Sequence, residues 1–306
     1  MSGMKLGVVL PTMSPRDGAP GDVAAAARHA EELGFESVWV VDQLIAGTGV
    51  PLLDSVTSLA AAAAVTERVA LGTGVLILPL RPVVWTAKHV ATLQHLSGNR
   101  VLLGVGAGGD RHSASWTAAG IPQRSRGRRT DEALRSLPGL ISGQPVRLDP
   151  DGNEVVLSPG AKVPPIIVGG MSDAAAMRAA AFGDGWFILA APPDIPRYQA
   201  LAAERAAIHG RPAPAITTSA MVALDGDPHL PGRDALMRSI TEPDGMFGIP
   251  AEQAAGAVVT GGPAAAADHL GRIAAHGAHR TVVTLAAGDW FRQAELLAEA
   301  RSELAA

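Results

Sequence analysis

The chain has 306 residues, 47% hydrophobic and 18% charged, with 35 glycines, 23 prolines and a formal charge of −4 at pH 7. This is the composition of a folded globular protein, and its slight acidity leaves no electrostatic footprint for nucleic acid. The absence of cysteine excludes disulfides, zinc–thiolate sites, iron–sulfur clusters and a thiol nucleophile.

KLGVVLP (5–11) reads as a strand, followed by a helix with Asp22 as N-cap and Gly34 as its stop. SVWVVD (37–42) is the second strand, and Asp54 caps an alanine-rich helix to about residue 66. VALGTGVLI (69–77) is the third strand, helix 82–97 ends at Gly98, and RVLLGVGA (100–107) is the fourth strand. These strands recur at the spacing of one βα unit, about 30 residues. Residues 108–125 read as a polar loop, 126–142 as a helix, and 144–157 as a small hairpin turning at Asp151-Gly152. Then come PPIIVG (164–169), a helix from Ser172 to Gly183, GWFILA (185–190), helix 193–209 and AITTSAMVAL (215–224). Residues 225–262 form an insertion with Pro243, Gly245 and Gly248 as hinge points, a candidate lid. Helix 263–277, RTVVTL (280–285) and helix 289–302 complete the series.

Eight continuous Val/Ile/Leu strands, each followed by a helix, predict a parallel sheet buried on both faces. The expected fold is α/β, a (β/α)8 TIM barrel spanning 1–306 as a single domain, with a doubly wound sheet as the alternative. The run 5–11 is too short for a signal-peptide core, and no apolar run reaches the ~20 residues that a membrane span needs. A cytoplasmic protein without membrane or nucleic-acid partners is expected.

In such a barrel the chemistry lies just beyond the strand ends. No His-x-His pair stands there for a metal hydrolase. The three lysines, Lys5, Lys88 and Lys162, are misplaced for a Schiff base. Asp42 and Asp110 lack the surroundings of a glycosidase pair. What remains is a glycine-rich, acid-poor mouth suited to a large flat cofactor. Gly169-Gly170-Met171-Ser172 joins a buried strand to a helix N-terminus. That is either a phosphate cradle or a tight turn with an ordinary N-cap. Gly104-x-Gly106-x-Gly108 resembles a dinucleotide fingerprint but lies within and after the fourth strand, not the first. Asp42, Asp110 and His112 are candidate proton carriers, and each also reads as a loop-ordering or solvated residue. His229, with Asp225 and Asp227, is either a further polar cluster or a plain turn.

Five segments, in order along the chain, resemble the bacterial luciferase-like flavin and deazaflavin oxidoreductases. They are AEELGFESVWVVDQL, LGTGVLILPLRPVVWTAKHVATLQHLSGNRVLLGVGAG, AAGIPQRSRGRRTDEAL, PPIIVGGMSDAAAMRAAAFGDGWF and GGPAAAADHLGRIAAHGAHRTVVTL. The resemblance implies a barrel that binds reduced FMN or coenzyme F420, an 8-hydroxy-5-deazaflavin, at its C-terminal mouth. The ring would rest on a third-strand bulge at Thr73, Gly74 and Val75, with a non-prolyl cis peptide at Gly74–Val75. Gly106, Ala107 and Gly108 would flank it, and Gly169, Gly170, Met171 and Ser172 would meet the phosphate. Asp42, Gln43, Asp110 and His112 are the catalytic candidates. Two departures stand out: Gln43 replaces the histidine that follows the strand-2 acid in the family's F420-dependent alcohol and sugar dehydrogenases, and Gly109-Asp110 stands where many carry glutamate. The implied function is F420-dependent hydride transfer to or from a small organic substrate, in a homodimer. The alternatives are a reduced-FMN monooxygenase served by a flavin reductase, and a non-catalytic flavin-binding barrel.

Overall fold

The computed structural model describes residues 3–305 apart from 17, 110–112, 150–151 and 244. The apolar runs become β1 (Lys5–Val9), β2 (Ser37–Val40), β3 (Ala70–Thr73), β4 (Val101–Gly106), β5 (Ile166–Gly169), β6 (Gly185–Ile188), β7 (Ala215–Leu224) and β8 (Arg280–Leu285). Each pairs in parallel with its sequence neighbours, and β8 closes back on β1 with Lys5 opposite Arg280. The ring is a closed (β/α)8 barrel, and the doubly wound alternative falls with that closure. Around it lie α1 (Val23–Glu32), α2 (Ser55–Val65), α3 (Val83–Ser97), α4 (Arg126–Ser142), α5 (Asp173–Phe182), α6 (Ile195–Ile208), α7 (Pro263–Ala275) and α8 (Trp290–Ala305). The expected caps form: Asp22 accepts from the Ala25 N–H at 2.9 Å, Asp54 from Thr57 at 2.8 Å and Ser172 from Ala175 at 3.2 Å. Among the described residues no helix is long and apolar enough to cross a membrane.

Alternate residues of each strand face the helices or the barrel axis. Leu6, Val8, Val38, Val40, Leu71 and Leu103 join the helices in one large core. The axis holds a smaller cluster of Trp39, Leu102, Ile167, Phe187 and Val282. Trp39 is its centre and is fully buried. Its indole N–H donates to Ser37 Oγ at 2.8 Å, and Phe187 meets it edge-on with ring centroids 5.9 Å apart. A ring this large fits because β1 and β3 carry glycine beside it. A Cβ on Gly7 would lie 2.6 Å from Trp39 Nε1, and one on Gly72 would overlap the indole carbons. At the N-terminal end of the barrel, Arg280 lies 5.9 Å over the Trp39 ring, held by two hydrogen bonds from its guanidinium to Glu36 at 3.1 and 2.7 Å.

Three expectations needed revision. The third strand does not run unbroken from 69 to 77. It stops at Thr73 and resumes at Leu76–Ile77, which pairs again with β4. Residues 108–125 are not simply a loop, since Ser113–Ala118 forms a helix packed through Trp116 against Ile77 and Leu80. The insertion is structured. It holds the helices Arg233–Thr241 and Ala251–Ala257, and a short strand, Val259–Gly261, parallel to β7. The hairpin formed as expected, with Val146 opposite Val155, while Asp151, expected at its turn, lies outside the described residues.

Gly72→Ala should destabilise the barrel by about 1–3 kcal/mol, the usual cost of overpacking a core. Adding Trp39→Leu should restore part of that loss. Urea titrations of the two single variants and the double variant would show the coupling, and strict additivity would refute the packing account.

Candidate active site

The break in β3 organises the mouth. The Gly74–Val75 peptide is cis, at the position the family resemblance indicated. Thr73 is fixed by its hydroxyl, which donates to the Gly104 carbonyl at 2.7 Å. Val75 is turned across β4 and β5. A Cβ on Gly106 would stand 2.7 Å from Val75 Cγ2, one on Gly169 would stand 2.9 Å from Cγ1, and one on Gly104 would overlap the Thr73 carbonyl. Gly108, at φ +71°, passes under Ile77 and Trp116, each 2.9 Å from where its Cβ would be. These glycines therefore make room for the bulge. The spacing that resembled a dinucleotide fingerprint has this packing cause. Gly109 alone in the series faces open space.

Asp42 holds the bulge from behind. Its buried carboxylate accepts from the Ile77 N–H at 2.8 Å, from Ser55 Oγ at 2.9 Å and from both Arg81 terminal nitrogens at 2.7 Å. Arg81 also lies 3.7 Å from Asp54. Burial alone would lower the Arg81 pKa, but the two carboxylates outweigh it and hold the pKa above its ordinary value. Asp42 thus sits in an ordering network, and Gln43, half-buried next to it, takes no part in that network. The sequence reading did not single out Arg81. Its only signal was an arginine placed just after the strand that the Asp42 loop faces. Asp110 and His112 lie outside the described residues.

At the end of β5, Gly170 takes φ +127°, its N–H donates to the Phe187 carbonyl at 3.1 Å, and its carbonyl accepts from Trp186 Nε1 at 2.8 Å. Met171 is 39% exposed, and its sulfur accepts from the Leu189 N–H at 3.1 Å. Ser172 caps α5 by accepting from Ala175, which leaves the N–H groups of Asp173 and Ala174 outside the helix ladder. Asp173 in that turn would compete with an anion there, and Arg205, 3.1 Å away, offsets its charge.

Across the barrel, a cavity of about 630 Å³ opens at the ends of β1, β7 and β8 beneath the insertion. Its wall includes Thr12, Met13, Val41, Met221, His229, Met246, Phe247, Ala287 and Trp290. The Trp290 indole is fixed by donation to the Val9 carbonyl at 2.9 Å. Asp227 roots the insertion, accepting from the N–H groups of His229 at 2.8 Å and Asp289 at 2.7 Å and from Gln293 Nε2 at 3.1 Å. Burial would raise the Asp227 pKa, but these bonds outweigh it and hold the pKa below the ordinary aspartate value. Gly288, at φ +89°, leaves no space for a Cβ against that carboxylate. An Arg16–Glu242 bridge of 3.2 Å joins the loop after β1 to the insertion. No group of three or more potential metal ligands occurs among the described residues.

The mouth therefore has a glycine-lined half on β3, β4 and β5, and a cavity half on β7, β8 and β1. Residues 4–304 match the family described as luciferase-like monooxygenase. The chain belongs to that family. It is similar to the F420-dependent glucose-6-phosphate dehydrogenase of Beutenbergia cavernae, with 36% identity over 176 residues, 55% of this chain and 52% of that one. Its fold is that of an F420-dependent secondary alcohol dehydrogenase solved with an F420–acetone adduct (TM-score 0.80, 19% identity, 99% of each chain). The fold is also shared with the monooxygenase RslO1 from Streptomyces bottropensis (TM-score 0.75, 21% identity, 99% of this chain and 100% of that one). The chain spans about half the length of the curated relatives it matches.

Asp42→Asn should destabilise the protein by about 3 kcal/mol in urea titration, because it removes the buried carboxylate closest to the half-buried Arg81 and leaves that guanidinium only the more distant Asp54. Asp227→Asn should cost about 1.5–3 kcal/mol at pH 7. Because the folded pKa of Asp227 is depressed, its contribution is fully present above the unfolded value of about 3.9 and is lost as pH falls through the folded pKa. Unfolding midpoints measured from pH 7 to pH 2.5 should converge for the two proteins at the acid end, and a constant gap would refute the assignment.

Proposed function

We propose that this protein is a cytoplasmic F420-dependent oxidoreductase that moves a hydride between the deazaflavin and a small organic substrate. The observation that carries the reading is the division of the mouth: a backbone platform broken open at Gly74–Val75 faces an apolar cavity under a lid-like insertion. The residues present fit the cofactor. The platform is backbone overlaid by the single side chain of Val75, the Ser172-capped N-terminus of α5 follows β5, and the opposite wall carries no Lys, Arg, Asp or Glu among the described residues. When bound, F420 supplies a carbon that donates or accepts hydride, and the protein binds, orients and excludes water.

In this reading Thr73, Gly74 and Val75 support the ring, with Gly106, Ala107 and Gly108 along its edge. Gly169, Gly170, Met171 and Ser172 receive the phosphate at the start of α5. Asp42 acts through the bulge and is a positioning residue. Gln43 offers an amide to the mouth but no base. Asp110 and His112, which follow β4 in the sequence, remain the proposed proton carriers. The partners are the substrate and a second copy of the chain.

A second reading, a reduced-FMN monooxygenase fed by a flavin reductase, is favoured by one finding. The matched relatives include a 4-hydroxyprotoasukamycin monooxygenase, 36% identical over 120 residues. Anaerobic titration of tryptophan fluorescence with F420 and FMN, each oxidised and reduced, separates the readings. F420 is expected to bind at least tenfold more tightly than FMN, a gap of about 1.4 kcal/mol. Tighter binding of reduced FMN, followed by substrate-dependent oxygen uptake, would replace hydride transfer with monooxygenation. Binding of neither would leave a non-catalytic barrel.

A further inference from the structure

We propose that the cavity at β1, β7 and β8 takes an uncharged, mostly apolar substrate and that the Thr12 hydroxyl receives its oxygen. The inference rests on reading the mouth as a hydride-transfer site and assigns that site its substrate class. Among the described residues no Lys, Arg, Asp or Glu lines the cavity, and His229 at its rim is the one titratable group in the wall. An anionic substrate would be stripped of water there without a cation to pair with, a penalty that a folded pocket does not normally leave unpaid. Arg16, beside the cavity-lining Pro15, is turned to Glu242 at 3.2 Å. The sugar phosphate named for the Beutenbergia cavernae relative is thus a poor match for this wall.

What the wall offers instead is Met13, Met221, Met246, Phe247 and Trp290. Thioethers adapt to irregular apolar shapes, and about 630 Å³ accommodates a small organic molecule. The polar exception is specific. Thr12 is fully buried, its N–H donates to the Leu10 carbonyl at 2.7 Å, and its carbonyl accepts from Leu53 at 2.9 Å. Only its hydroxyl is left over, and it is the one buried polar atom of the cavity wall with no partner among the described residues. Ser14, two residues on, has its hydroxyl committed to the Ala19 carbonyl at 2.6 Å. A buried orphan hydroxyl is costly and rare. A ketone or alcohol oxygen would satisfy it.

The test is ligand-observed saturation-transfer NMR on the full chain without cofactor. The probes are 2-butanone, cyclohexanone and benzylacetone, against glucose 6-phosphate and benzoate. At least one ketone should bind tenfold or more tightly than either anion. Thr12→Val should weaken the best ketone by about threefold to tenfold, the worth of one hydrogen bond. It should leave butylbenzene unchanged and raise Tm, which a merely structural threonine would not do. Ala235→Trp, on the exposed side of the helix Arg233–Thr241, fills the cavity without touching the core and should weaken ketone and butylbenzene alike. An anion binding as well as the best ketone, binding by no ketone, or equal losses of ketone and hydrocarbon in Thr12→Val would overturn the proposal. The cofactor titration fails independently: ketone binding without F420 binding sinks hydride transfer alone, and F420 binding with glucose 6-phosphate in the cavity sinks this inference alone.

Discussion

The carboxylate of Asp42 ties the barrel to its mouth. One buried side chain accepts four hydrogen bonds: one from the backbone where β3 resumes, one from the start of α2 and two from Arg81. Burying an ion pair is a poor way to gain stability, because desolvation consumes most of the attraction. What such a pair does well is fix geometry, and here it fixes the segment Leu76–Ile77 beyond the break. Without that anchor Val75 would have no defined place, and the glycines of β4 and β5 would face empty space.

Those glycines show where the sequence was legible and where it was not. The alternation of apolar runs and capped helices led directly to the barrel, since Asp22, Asp54, Ser172 and Gly98 mark helix ends by local chemistry that needs no tertiary context. The bulge was placed by family resemblance, because no local rule marks Gly74–Val75. The purpose of Gly104, Gly106 and Gly169 could not be read from their spacing. A glycine that approaches a ligand and one that yields to a neighbouring valine have the same one-letter signature, and only the position of Val75 separates them. The same limit applies to Gly7 and Gly72, whose partner, Trp39, is distant in sequence. Arg81 and Thr12 were opaque for a related reason. Pairing of one and isolation of the other are properties of the folded mouth, not of any window of residues.

The two halves of the mouth are built by different means. On the β3 to β5 side the backbone itself forms the surface, so side-chain substitutions there collide with packed neighbours. On the β7, β8 and β1 side the surface consists of side chains projecting from an insertion and from strand ends. The first arrangement suits a ligand that is always the same, and the second suits one that varies.

The insertion also packs separately. Leu236, Ile240, Ala254 and Val258 gather with Ala223 and Ala286 in a cluster distinct from the one that joins strands to helices. Mutations in that small cluster reshape the cavity while the closure of the barrel, and the platform of β3, stay as they are. For redesign the molecule offers two unlike regions: strands whose glycines leave no room for a side chain, and a cap whose residues pack largely among themselves. Changes of ligand preference are therefore best sought in the cap, where the closure of the strands is not at stake.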